Sequence, residues 1–280
     1  MNDKPKYFNA GGKLIDLSTP KVMGIINITP DSFYSGSRFT DEKEILGAAS
    51  AMLAEGADII DVGGYSSRPG AAELNPEEEG KRVFPAIKLI SGAFPDAIIS
   101  VDTFRAEIAA RAVSECGAHI INDISGLDGD KDMFNVVKDL NVPYILMHMQ
   151  GTPLTMQKNP EYKDVVADIL KWFGERIYRL QSAGVRDIIL DPGFGFGKNA
   201  EHNFDMLNRF GDFSIAGLPL LAGLSRKTMV WKSLGISPSE ALNGTTVLNT
   251  IALMKGADIL RVHDVKEAVQ LVKLIGMLRR

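Results

Sequence analysis

The chain has 280 residues, 45% hydrophobic and 24% charged, with a formal net charge of −4; that length can bury a large core, and the interspersed charges form no basic stripe of the kind a nucleic-acid binder carries. A single cysteine, Cys116, excludes an internal disulfide, fits a reducing cytoplasm, and reads as a small core residue. No apolar run approaches the roughly 20 residues of a membrane span and the N-terminus has no basic-then-apolar leader, so a soluble, cytoplasmic protein is expected, with no nucleic-acid or membrane partner.

From the N-terminus, residues 7–17 read as a small hairpin turning at Gly11 and Gly12. VMGIINIT (22–29) is a short apolar run suited to a buried parallel strand, and helical spacing follows over 41–56. EGADIIDVGG (55–64) then introduces a phrase that recurs as CGAHIINDISG (116–126), AGVRDIILDPG (183–193) and KGADILRVHD (255–264). In each, a helix ends in Gly, which supplies the positive φ of a C′ position, and an apolar run ending in polar residues follows. AIISVDT (97–103), PYILMHM (143–149) and PLLAGLS (219–225) bring the strands to about eight. Helices fall between them at 76–92, 105–117, 131–140, 162–184 and 199–211, and Pro85 is expected to break or kink the first of these. Two helical pieces, 227–235 and 238–256, precede the last strand, so one unit should carry an extra helix near residues 238–256; residues 265–280 close the chain as a helix. Alternating strands and helices leave two architectures, the closed barrel and the open doubly wound sheet. Eight units without a linker favour an α/β (β/α)8 TIM barrel, one domain over 1–280, with residues 1–20 as a hairpin capping its bottom.

In such a barrel, chemistry sits at the C-terminal ends of the strands. The polar residues there are Asn27, Asp61, Asp102, Asn122, His148, Asp191, Ser225 with Lys227, and Arg261 with His263. Asp61, ahead of Gly63 and Gly64, is the one best explained as a turn residue. Lys227 and Arg261 call for an anionic partner, since long cations seldom end buried strands without one. Asn122 and Asp191 together suit a flat heterocycle with adjacent donors and acceptors, while the cations suit a phosphate or diphosphate. Two loops rich in small and polar residues, NITPDSFYSGSRF (27–39) and GGYSSRPGA (63–71), are placed to close over a substrate. His119, His148, His202 and His263 lack zinc-motif spacing; a magnesium ion held mainly by diphosphate oxygens and one protein oxygen would leave little sequence signature. GFGFGK (193–198) has neither GxGxxG nor Walker spacing, so a nucleotide-loop reading of it is weak.

In order along the chain, MGIINITPDSF (23–33), DVGGYSSRPGA (61–71), SVDT (100–103), NDISG (122–126), DPGFGFGK (191–198), GLSRK (223–227) and RVHD (261–264) resemble the dihydropteroate synthase family, from about residue 21 to the C-terminus. The resemblance implies a transferase that joins a dihydropterin-methyl diphosphate to p-aminobenzoate, with loss of diphosphate before the arylamine attacks. It implies that Asp102, Asn122, Asp191 and Lys227 hold the pterin with Met147 on its face. Arg261 and His263 would meet the diphosphate, Ser67 would also reach the substrate, and Asn27 would ligate Mg2+. Thr29, Pro30, Phe33, Arg68, Pro69, Phe196 and Ser225 would form the p-aminobenzoate pocket, and Asp31, Asp102, Lys227, Arg261 and His263 would serve catalysis. It further implies a homodimer and a sulfonamide target. Two positions depart from the family's usual loops: Ser35 and Tyr65 stand where many relatives carry carboxylates. The alternatives are a methyltetrahydrofolate-dependent methyltransferase of the same superfamily and a catalytically inactive pterin-binding paralogue. A Schiff-base aldolase using Lys227 is disfavoured by the neighbouring Arg226.

Overall fold

The computed structural model describes residues 6–28, 42–65, 74–152, 155–156 and 160–278. A hairpin of β1 (Tyr7–Ala10) and β2 (Lys13–Asp16) opens the chain, turning at Gly11 and Gly12 with φ of +59° and +77°. Eight parallel strands follow: β3 (Lys21–Asn27), β4 (Ile59–Gly63), β5 (Ile98–Asp102), β6 (Ile120–Asp123), β7 (Tyr144–Met147), β8 (Ile188–Asp191), β9 (Leu221–Ala222) and β10 (Ile259–Val262). They pair in the order β8-β7-β6-β5-β4-β3-β10-β9, and a bridge between Leu190 and Leu220 brings the two ends together into a TIM barrel.

The strands alternate inward and outward with the pleat. One inward residue from each of the eight strands, Met23, Ile59, Ile98, Ile120, Ile145, Ile189, Leu221 and Ile259, forms a buried apolar layer low in the barrel. Phe8, Ala10 and Leu17 of the hairpin segment pack against that layer from below. The outward residues, such as Ile26, Ile60, Val101, Leu146 and Leu260, make a second core with the surrounding helices.

Those helices are α1 (Glu42–Glu55), α2 (Pro76–Ala93), α3 (Ala106–Arg111), α4 (Met133–Leu140), α5 (Val165–Ser182), α6 (Ala200–Asn208), α7 (Thr228–Leu234), α8 (Leu242–Met254) and α9 (Val265–Leu278). The recurring phrase behaves as its chemistry demands: Gly56, Gly117, Gly184 and Gly256 have φ between +93° and +103° and lead into β4, β6, β8 and β10. The expected break at Pro85 does not occur, and α2 runs through it. Pro85 is exposed, and so is Lys81 one turn back, whose carbonyl loses its usual partner on the solvated side of the helix. The helix over 105–117 is not uniform either, since α3 widens into a π-helical turn at Ala112–Cys116. The extra helix is α8. Arg226 ties its approach to the barrel by pairing with Asp264 at 2.8 Å and donating to the carbonyls of Pro238 and Ser239 at 2.9 and 2.8 Å.

Candidate active site

Two residues beyond the apolar layer, the same pleat aims Asp61, Asn122, Met147, Asp191 and Arg261 into the barrel's upper lumen. The bonds between them span strands that are not neighbours, which only a shared lumen permits. Arg261 Nε donates to Asp61 Oδ2 at 2.6 Å, and its Nη2 donates to Asp102 Oδ2 at 2.5 Å. Asn122 Nδ2 donates to the same Asp61 oxygen at 3.0 Å. One amide hydrogen of Asn122 is thereby committed, which leaves its carbonyl oxygen and second N–H as its remaining hydrogen-bonding groups. Asn27, Gly63 and Asp102 sit in register on β3, β4 and β5. A Cβ on Gly63 would stand 3.4 Å from Asn27 Oδ1 and 3.3 Å from Asp102 Cβ, so glycine there lets the two polar groups flank one point.

Across the mouth, Gly193 N–H donates to Asp191 Oδ1 at 2.8 Å. Lys227 Nζ donates to the Phe194 carbonyl and lies 4.6 Å from the centroid of the Phe196 ring. Met147 and Phe196 belong to one apolar cluster at the rim, with Ile124, Met149, Met156 and Phe104. Ser225 Oγ is 3.0 Å from His263 Nδ1 and accepts the His263 backbone N–H at 3.2 Å.

Burial shapes the charges. It raises the Asp102 carboxyl to about 7, opposed by Arg261 and reinforced by Asp61, Glu79 and Asp123. It lifts Asp191 as well, against the pull of Lys227, and lowers Lys227 to about 8 against the pull of Asp191. Burial also disfavours the charged Arg261, but Asp61 and Asp102 outweigh it and hold the guanidinium above the ordinary arginine value. The result is a strand-end site of buried carboxylates, one amide and two cations, in which Asp102 and Lys227 titrate within reach of neutrality.

A family model described as a pterin binding enzyme matches residues 23–263. The dihydropteroate synthase of Escherichia coli strain K12 is 46% identical over 268 residues, covering 95% of this chain and 94% of that protein. The chain belongs to the dihydropteroate synthase family. Among solved structures, the Yersinia pestis dihydropteroate synthase in a sulfonamide drug complex superposes with a TM-score of 0.92 at 42% identity, over 98% of this chain and 99% of that one. The Xanthomonas albilineans dihydropteroate synthase in complex with 7,8-dihydropteroate gives 0.87 at 34% identity, over 98% of each chain. The resemblance drawn from the motifs is borne out, and the chain is a transferase of the dihydropteroate synthase type.

Ten of the sequence-predicted residues of this dihydropteroate synthase site converge on the one mouth: Asn27, Asp102, Asn122, Met147, Asp191, Phe196, Ser225, Lys227, Arg261 and His263. Thr29, Pro30, Asp31 and Phe33 of the first loop, and Ser67, Arg68 and Pro69 of the second, lie outside the described residues, as does Ser35. Two readings change. Asp61 is no turn residue, because it is fully buried and bonds both Arg261 and Asn122. His148 leaves the site: it has the opposite pleat parity to Met147 and packs edge-on against Trp172 with ring centroids 5.0 Å apart. Parity was the signal for both, since 59, 61 and 145, 147 share the inward face whereas 148 does not. The same rule separates Asn122 from its neighbour Asp123, which faces outward and organises a turn by accepting from Tyr144 Oη at 2.6 Å and Leu127 N–H at 2.9 Å. Glu79 had no sequence signal. It is buried on α2, accepts from Thr103 Oγ1 at 2.6 Å, and pairs with Arg105.

Among the described residues no group of three or more His, Cys, Asp or Glu could hold a metal ion. What the mouth offers instead is one amide oxygen, Asn27 Oδ1, beside the Asp102 carboxylate. That donor set fits a hard cation that takes most of its oxygens from a substrate diphosphate.

Proposed function

We infer that this chain condenses (7,8-dihydropterin-6-yl)methyl diphosphate with p-aminobenzoate to give 7,8-dihydropteroate and diphosphate in folate synthesis. The bond from the pterin methylene carbon to the diphosphate oxygen breaks first, and the electron pair leaves with the oxygen. The arylamine nitrogen then bonds to the methylene carbon and gives up a proton. No protein nucleophile is required.

The observation that carries this reading is the joining of a heterocycle wall to a cationic side within one lumen: Asp61 bonds Asn122 of the wall and Arg261 of the cationic side. Asp102, Asn122, Asp191 and Lys227 hold the pterin edge, and Met147 packs on its face. Arg261, which keeps Nη1 for a further acceptor, meets the diphosphate together with His263 and Ser67. Buried cations facing a leaving group stabilise its growing negative charge, while Asp102 and Asp191 stabilise the pterin cation. Asn27 would hold Mg2+, whose charge neutralises the departing diphosphate. Phe196 and Ser225, together with Thr29, Pro30, Phe33, Arg68 and Pro69, would form the p-aminobenzoate pocket, which sulfonamides would also occupy, and Asp31 would serve catalysis.

We further infer that the protein acts in the cytoplasm as a homodimer. No helix among the described residues is long and apolar enough to cross a membrane. Val247, Met254, Leu274 and Met277 expose apolar side chains on α8 and α9, a face that a second copy would cover.

Diphosphate release, assayed with and without p-aminobenzoate, tests the reaction. Turnover that needs both substrates and yields dihydropteroate is expected. A protein that binds pterin yet releases no diphosphate would instead be a retired paralogue.

A further inference from the structure

The loop after β8 contains a buried lysine for which the reaction gives no role. Gly193, Gly195 and Gly197 have φ of +71°, +81° and +63°, conformations open to glycine, and the Gly193 and Phe196 carbonyls of the loop converge on one point. The loop also lies tight on the end of β7, where a Cβ on Gly193 would stand 2.0 Å from the His148 carbonyl oxygen. Into this ring of oxygens comes Lys198, only 2% exposed. Its Nζ is 3.0 Å from the Gly193 carbonyl, 2.9 Å from that of Phe196, 3.2 Å from that of His148, and 3.0 Å from His148 Nδ1.

All four partners are neutral. Carbonyl oxygens only accept, and three of them aimed at one point repel each other unless donors stand between them. An ammonium brings three N–H donors to that point, whereas a neutral amine would bring two and a lone pair. Burial draws the Lys198 amine well below its usual value; Asp191 opposes this and Lys227 adds to it. His148 is kept neutral by burial, down to about 2, so its ring adds no charge of its own to the cage.

The loop so gathered supplies the pterin-side contacts of its other residues. Gly193 N–H orients Asp191, the Phe194 carbonyl receives Lys227, and the Phe196 ring lies under the Lys227 ammonium. We propose that Lys198 is a positioning residue, whose bonds to His148, Gly193 and Phe196 fix the β8 loop so that Asp191 and Lys227 are set for the pterin ring. The functional half of this rests on the pterin reading above.

Calorimetry with a free pterin, on the full-length protein, tests it. Lys198→Met keeps the stem's volume but not the donors, and should weaken pterin binding by roughly tenfold or more while leaving the far-ultraviolet circular dichroism unchanged. Lys198→Ala opens room for a small amine; propylammonium should restore affinity and the isosteric propanol should not. If Lys198→Ala does not fold alone, the yield of folded protein on refolding with each additive reads the same distinction. A ligand-free arm uses Trp172 emission, because Trp172 packs on His148 and should report that ring's release in Lys198→Met. Wild-type protein that binds no pterin, with Trp172 still shifted in the variant, would overturn the pterin reading and keep the clamp. Pterin affinity in Lys198→Met equal to wild type, or rescue by propanol as strong as by propylammonium, would overturn the proposal.

Discussion

The two rims of the barrel use the same residue types for opposite ends. At the lower rim, polar side chains just before the strands accept backbone N–H groups. Asp58 takes Val22 at 2.9 Å, Asp258 takes Leu220 at 2.8 Å, His119 takes Ile99 at 3.1 Å, and Asp187 takes Asn9 of the hairpin at 3.3 Å. Lys6 adds an ion pair to Asp258 at 2.7 Å. These acceptors stitch one strand to the next and the plug to the barrel. At the upper rim, Asp61, Asp102, Asn122 and Arg261 bond one another's side chains across the lumen, and one oxygen of Asp61 is buried with no partner. Asp58 and Asp61 are three residues apart, yet one serves the backbone and the other a pocket. An acceptor committed to the backbone cannot meet a ligand, whereas acceptors paired only with side chains can exchange partners when a substrate arrives.

Arg261→Met should break the network of the upper rim, because Arg261 bonds both Asp61 and Asp102. Removing it leaves Asp61 and Asp102 facing each other without their shared cation, which should cost about 3–5 kcal/mol of stability. The activity lost with a charge-stabilising donor is on the order of 10²–10³ in kcat. Affinity for the diphosphate substrate should fall much further than affinity for a free pterin. Urea unfolding, steady-state kinetics and calorimetry with both ligands measure the three effects; equal losses for the two ligands would place Arg261 away from the diphosphate.

Asp61→Asn probes the same network more gently. It keeps the shape and removes the charge that Arg261 and Asn122 share, so about 1.5–3 kcal/mol of charge-assisted bonding should be lost. Pterin Kd should rise accordingly, with the melting temperature lowered as well. Pterin binding as tight as in the native protein would reduce Asp61 to a core residue.

Asp258→Ala is the lower-rim counterpart. Leu220 N–H and Lys6 lose their acceptor, which should cost about 1–3 kcal/mol. For a chain of this size the melting temperature falls by roughly 2–4 °C per kcal/mol. kcat/KM should stay at the native value, and a clear drop would show that the lower rim transmits to the site.

How much of this was legible in the sequence follows from the same division. The strands, the four glycine helix stops, and α8 came from local chemistry, which a single chain carries openly. Eight of the ten convergent site residues were legible as polar ends of apolar runs, whereas Met147 and Phe196 came only from the family resemblance. Pleat parity was legible too, but reading strand ends without it placed His148 in the pocket and Asp61 in a turn. Glu79 and Lys198 were not legible. Their partners are 24 to 50 residues distant or are carbonyls, and no periodicity in sequence marks a carbonyl cage. The lower stitches were hidden differently: Asp58 and Asp258 stood inside the recurring Gly-Ala-Asp phrase, where their position looked like part of the repeat.

The smallest effect is a pH dependence at His119. Its Nδ1 accepts the Ile99 N–H, so the ring must lack a proton on that nitrogen, and burial, with Lys13 adding to it, lowers its pKa below the ordinary 6.5. The unfolded chain therefore binds a proton at higher pH than the folded one. Where the unfolded state holds more protons, stability rises with pH, so this contribution is fully present above about 6.5 and is lost as pH falls through the folded value. His148 tilts stability in the same direction over a wider range, and Asp102, raised to about 7, tilts it the opposite way by favouring the protonated fold. A difference measurement removes both. His119→Asn keeps an acceptor near Ile99 without a titrating ring, and it leaves the upper rim untouched. The ring also stands where a Cβ on Gly11 would come within 2.4 Å of it, so the hairpin turn senses the same position. Urea unfolding free energies of the two proteins, compared from pH 8 to pH 5, should differ by a constant amount above pH 7. Below that, the native protein should lose stability faster than the variant. Parallel curves over the whole range would mean that the Ile99 bond survives protonation, and that His119 is not a stitch of the lower rim.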